Sequence, residues 1–252
     1  MTLRQAQVAL RSAADPARAK VLRAYFKTGP GGYGEGDRFI GVTVPAITGI
    51  ARRYRGLSRS DLDRLLRSTV NEERATALAI LALQYRQADP AERAVMYDFY
   101  MRRLRYVNNW NLVDGSAPAI AGPVLTVGKS PVLDRLARST RVWDRRLAVL
   151  STYHAIKQGR FGPTLRLCRL LLRDPHDLIH KACGWMLREV GKRNADVLER
   201  FLRAHRARMP RTMLRYAIER LPPAARRAHL AAPSSIRRRQ PPRRVRSAIT
   251  TS

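Results

Sequence analysis

Along most of this chain, apolar residues return every three or four positions, the period of an α-helix, and not every second position, as in a half-buried strand. NEERATALAILALQY (71–85) shows the pattern: Asn71 reads as an N-cap, Glu72 and Glu73 occupy the first turn, and Ala75, Leu78, Ala79, Leu81 and Ala82 follow. The same spacing predicts helices over 57–68, 90–104, 141–158, 161–174, 175–192, 195–209 and 211–221. Pro, Gly, Asn and Asp separate them at short intervals, so about a dozen helices are expected and no strand. A basic residue followed by a packing residue recurs at Arg74-Ala75, Arg146-Leu147-Ala148, Lys181-Ala182 and Arg215-Tyr216-Ala217, in steps of 72, 35 and 34. The first step is nearly double the others, so a further unit should lie near residue 110. A period near 35 with two helices per unit predicts an all-α solenoid of helical repeats, with an irregular helical domain of coincidental spacing as the alternative.

Two stretches break the pattern. KTGPGGYGEGDRFIGVTVP (27–45) is rich in glycine, yet no Gly-Lys-Ser/Thr follows, so it reads as a structured connector and not a phosphate loop. The C-terminus, 231–252, is rich in arginine and proline without a packing period and is expected to be a disordered basic tail behind a single domain over 1–230. Charge then narrows the partner. Lys plus Arg number 49 against 19 Asp plus Glu, a formal net charge of +30, which suits a polyanion such as nucleic acid. Arginine outnumbers lysine 43 to 6, however, and compositional bias alone would give a basic solvated surface. Cys168 and Cys183 sit in apolar helical runs, form no CxxC pair, and are expected to pack as small hydrophobes. No apolar run reaches the ~18 residues of a membrane span, and the N-terminus lacks the apolar stretch of a signal peptide. The expectation is a soluble, monomeric protein of a reducing cytosol.

Little chemistry is written in familiar motifs. His176 and His180 are four apart, but no third metal ligand accompanies them and they read as cap and surface residues. There is no Gly-x-Ser-x-Gly elbow, and no metal or cofactor is expected. What remains is Trp110, Asp114, Arg146 and Trp185, spread over three successive repeat units. Equivalent positions of a solenoid line one surface, so residues ~35 apart in sequence can converge. Trp110 and Asp114, at i and i+4, share a helix face. Two readings stand on the residues alone: a site, or tryptophans in the core with Asp114 as a cap or salt-bridge partner.

The strings TGPGGYGEGDRFIGVTVP, NNWNLVD, VWDRRLAVLSTY, LIHKACGWMLREVGKR and MPRTMLRYAIER, taken together and in order, resemble the bacterial DNA alkylation repair proteins of the AlkD type. The resemblance runs from about residue 20 to 230. It implies a curved solenoid of HEAT-like repeats with a basic concave groove for duplex DNA. It also implies a metal-free glycosylase that hydrolyses the N-glycosidic bond of N3- and N7-alkylated purines. By the same resemblance Asp114 is the catalytic aspartate, Trp110, Trp185 and Arg146 complete the catalytic set, and Arg146 also holds a backbone phosphate. Lys181, Arg188, Arg211 and Arg215 are further candidates for phosphate contacts.

These residue types suit that reaction. Alkylation at N3 or N7 leaves a cationic purine, and cleavage develops an oxocarbenium-like charge on the sugar. A fixed carboxylate can stabilise this charge and position water. Indole faces attract cations and exclude bulk solvent. The family acts on the deoxyribose with the base left in the duplex, and beyond the two tryptophans no aromatic cluster is expected at the site. The other functional classes are a non-catalytic HEAT-repeat binder of damaged or branched DNA, and a protein–protein scaffold.

Overall fold

The computed structural model describes residues 1–128 and 130–231. Helices dominate because the caps and the apolar period agree. Asp15, Asp89 and Ser130 each stand before a proline and accept the backbone N–H three residues on. These begin α2 (Pro16–Tyr25), α6 (Pro90–Met101) and α9 (Pro131–Ala137), where a proline at the first position forfeits no hydrogen bond. The remaining α-helices are α1 (Leu3–Ser12), α3 (Val44–Arg53), α4 (Arg59–Leu66), α5 (Asn71–Gln87), α7 (Trp110–Ile120) and α8 (Gly122–Leu125), then α10 (Val142–Lys157), α11 (Gly162–Leu170), α12 (Asp177–Gly191), α13 (Ala195–His205), α14 (Arg211–Ala217) and α15 (Pro223–Ala231). Two short 3-10 helices follow α6 and α13, and among the described residues the only β-pairing is one isolated bridge, Arg38 to Val70. The tail expected beyond α15 lies outside the described residues.

Successive units stack side by side. α5 packs on α7, α7 on α10, α10 on α12, and α12 on α14, forming one layer. A second layer covers it: α4 and α6 on α5, α9 and α11 on α10, and α13 on α12. Arg74, Arg146, Lys181 and Arg215 fall on α5, α10, α12 and α14, and α7 fills the gap near residue 110. The helical-repeat architecture therefore follows the period read from the sequence. Each helix of the first layer contributes side chains to one continuous core, Leu81, Val113, Leu147, Met186 and Leu214 among them, all at most 2% exposed. Burying each stabilises the fold by roughly 1.5–3 kcal/mol before entropy is counted.

One expectation changes in detail at α5. Its neighbours on several sides bury even Glu72, Glu73 and Arg74, at 2%, 4% and 4% exposure. Glu72 accepts the backbone N–H groups of Ile40 (3.1 Å) and Gly41 (2.8 Å), so an acid from the first turn anchors the glycine-rich connector. Asn71 is not the cap: Val70 occupies that position, and the Asn71 side chain turns inward to Asp37 and Asn111. The last pair of first-layer helices comes unusually close. A Cβ on Gly184 of α12 would lie 2.5 Å from the Met213 carbonyl oxygen and 2.5 Å from Tyr216 Cβ on α14, so only glycine fits.

Candidate active site

A pocket of about 470 Å³ opens where the first-layer helices meet the glycine-rich connector. Arg146 and Asp114, 6% and 16% exposed in their side chains, form its floor, and Trp110, Trp185, Lys181, Tyr25 and Tyr33 complete the lining. The four residues singled out in the sequence are thus brought together, from α7, α10 and α12.

Asp114 is the centre of the arrangement. Its side chain is 16% exposed and accepts two hydrogen bonds from Arg146, Nε at 2.8 Å and Nη2 at 2.7 Å. The third guanidinium nitrogen, Nη1, donates to the Leu178 carbonyl at 2.6 Å, so one arginine ties α7 to α10 and to the first turn of α12. Burial pushes the Asp114 carboxyl above its ordinary range, and the Arg146 fork pulls against that rise. The bidentate pair fixes the plane of the carboxylate, and each oxygen keeps a further lone pair.

The Arg146 side chain is 6% exposed and all three of its nitrogens are engaged within the protein, so it orients Asp114. Of the other basic candidates only Lys181 lines the pocket, paired with Asp177 at 2.9 Å. Arg188 turns to Glu219, Arg211 donates to the Leu230 carbonyl, and Arg215 stands exposed on α14 outside the pocket lining.

The expectation of no aromatic cluster is also overturned. Tyr25, Tyr33 and Tyr216 join the two tryptophans around the cavity. Trp110 is stacked on Phe26 at 4.7 Å and 7°, with Phe39 stacked behind Phe26 at 4.5 Å, and Tyr25 meets Trp110 edge-on at 5.8 Å. Tyr33 donates to the Tyr25 carbonyl at 3.0 Å and meets Trp143 edge-on at 6.1 Å. One face of Trp110 is therefore occupied by protein.

The connector supplies this wall by folding back on itself. Lys27 has a φ of 50°, the one left-handed non-glycine among the described residues, which costs about 1–3 kcal/mol. Gly32 then passes so close that a Cβ there would lie 1.9 Å from the Lys27 carbonyl oxygen. The sequence did carry a signal: glycines between two aromatics, Tyr25 and Tyr33, mark a turn that returns the second to the first.

Behind the floor, a buried polar cluster holds the start of α7. The Asp37 carboxylate, 2% exposed, accepts from Arg74 Nη2 at 2.5 Å, Asn71 Nδ2 at 2.9 Å and Asn109 Nδ2 at 2.8 Å. Asn109 in turn accepts the backbone N–H of Trp110 at 2.8 Å, and Asn111 donates to Asn71 Oδ1 at 2.7 Å. His176 caps α12, its Nδ1 accepting the Leu178 N–H at 3.1 Å, and its ring lines the pocket.

An all-helical repeat protein with a mostly buried acid among aromatic rings is the class that fold and site define. The chain belongs to the DNA alkylation repair enzyme family, whose model matches residues 6–221. A solved structure described as a predicted DNA alkylation repair enzyme from Enterococcus faecalis shares the fold, with a TM-score of 0.62 and 15% identity over 82% of this chain and 96% of that one. No curated protein is a significant match.

Proposed function

We propose that the protein is a monofunctional DNA glycosylase that hydrolyses the N-glycosidic bond of positively charged alkylated purines, 3-methyladenine and 7-methylguanine among them, in duplex DNA. The observation that carries this reading is Asp114: a carboxylate held by a bidentate arginine and set among indole and phenol rings, in a chain of net charge +30. A protein that only grips phosphates gains nothing from an acid in its groove. A cation that develops between phosphates does need one.

The chemistry follows from the positions. The free lone pairs of Asp114 face charge growing on the deoxyribose and hold a water for attack at C1′. Arg146 favours the ionised form of the carboxylate against the effect of burial and fixes its plane. Trp185 and the open face of Trp110 offer π-density to the cationic sugar–base unit and exclude solvent, which strengthens the attraction to Asp114. In this reading the base stays in the duplex and the pocket receives its sugar edge.

The test is release of 7-methylguanine from methylated duplex, with and without EDTA. Wild type is expected to release base in both conditions. Asp114→Asn is expected to lose roughly 10²–10³-fold in rate, the usual cost of removing a positioned electrostatic group. An Asp114→Asn protein that folds, binds DNA and releases base at the wild-type rate sinks the proposal. A second reading, a non-catalytic binder of damaged or branched DNA, draws on the Asp114–Arg146 bond itself, since such a pair also serves as a structural tie. Tight DNA binding by the wild type without base release would favour it.

A further inference from the structure

The pocket's charges separate its cations by their freedom. Arg146 is bidentate on Asp114, and Lys181 is paired with Asp177. Lys27 lines the same cavity, is exposed, and has no acid or carbonyl partner for its side chain among the described residues; its Nζ lies 5.8 Å from the Tyr33 ring centre. Its backbone is left-handed, and the return of the connector over its carbonyl pins it there, with Gly34 N–H donating to that oxygen at 3.3 Å. A strained backbone that delivers an unpaired ammonium to the mouth of an otherwise charge-paired site is built for an anion from outside.

We infer that Lys27 binds a backbone phosphodiester of the duplex beside the target nucleotide. The inference rests on the glycosylase reading for what sits at Asp114, and it adds Lys27 to the basic residues expected to meet phosphates. Burial agrees with this: Asp114 is 16% exposed in its side chain, whereas Lys27 lines the same cavity and is exposed, the more open position a flanking phosphate needs. The Tyr33 ring beside the ammonium limits its wandering without neutralising it.

Binding to unmodified duplex, followed by filter retention between 50 and 300 mM salt, tests this directly. Each phosphate neutralised contributes about 0.9 to the slope of log affinity against log salt. Lys27→Asn removes the charge with a side chain that tolerates a left-handed backbone. It is expected to lower the slope by about one and the affinity by roughly eightfold at 0.1 M salt, the yield of one released counterion. Lys27→Arg should restore the slope. In base release, Lys27→Asn should raise KM with little loss in kcat. An unchanged slope in Lys27→Asn overturns the inference, and so does wild-type binding that ignores salt. If the slope falls as expected and no base is released, Lys27 stands as a phosphate contact and the glycosylase reading fails.

Discussion

Asp114 sits between two opposed influences, and its protonation is where they can be read. Burial raises its pKa above the ordinary 3.8 and Arg146 lowers it, with burial the larger. The ionised form is the one that stabilises a cation, and it disappears as pH falls through the raised value. Single-turnover base release should therefore fall along an acid limb whose midpoint lies above that of an ordinary aspartate. Arg146→Met removes the lowering influence, so the midpoint should move to higher pH, in addition to a loss in rate. A midpoint that does not move would show that Arg146 does not govern the carboxylate. At this scale the sequence showed which residues converge but not all that they do. Asp114, Trp110, Arg146 and Trp185 were legible because each rides on a repeat helix of readable spacing. Charge did not say that Arg146 would meet its own Asp114, and the bidentate bond is what the structure adds. Tyr216 stood beside Arg215 in a repeated motif and was passed over for the charge.

Among the elements, the connector and α7 are held by buried polar contacts that hydrophobic periodicity does not register. Asp37 gathers Arg74, Asn71 and Asn109, residues from two helices' worth of separate sequence, into one cluster. Asp37→Ala strands a buried guanidinium and two amides, and breaking such a pair costs about 3–5 kcal/mol. Urea unfolding followed by far-UV circular dichroism should show the loss, and a stability within about 1 kcal/mol of wild type would refute this account of the cluster. Gly184→Ala acts at the other side of the pocket. The added methyl meets backbone and a Cβ, neither of which can swing away, so α14 must shift and take Tyr216 with it. Overpacking of this kind costs about 1–3 kcal/mol. For a chain of this size that is a fall in Tm of roughly 2–4 °C per kcal/mol, and an unchanged Tm would mean the two helices are less tightly apposed than their spacing indicates. The helices themselves were legible from the apolar period, reinforced at α2, α6 and α9 by a cap before proline. The connector was legible as a structured turn, but its contacts were not, since a loop that turns on glycines has no period to follow.

For the molecule as a whole, the repeat is what made a site of distant residues. A step near 35 places α7, α10, α12 and α14 in one layer, so that positions a unit apart face one cavity. The sequence read this order through the missing unit near residue 110. What it could not supply was the wall donated by the chain ahead of the first repeat. A net charge of +30 predicts that affinity for duplex DNA drops steeply and linearly in log affinity against log salt. A scaffold that binds proteins through apolar helix faces would show little such dependence. One further property follows from how the aromatic wall is assembled. The chain has three tryptophans: Trp110 and Trp185 line the pocket, and Trp143 touches Tyr33 at its edge. Every indole is therefore at the site or one ring away from it, and the unlabelled protein is its own optical probe. With excitation selective for indole, which leaves the nine tyrosines aside, a change in emission on adding DNA reports the pocket and the ring beside it.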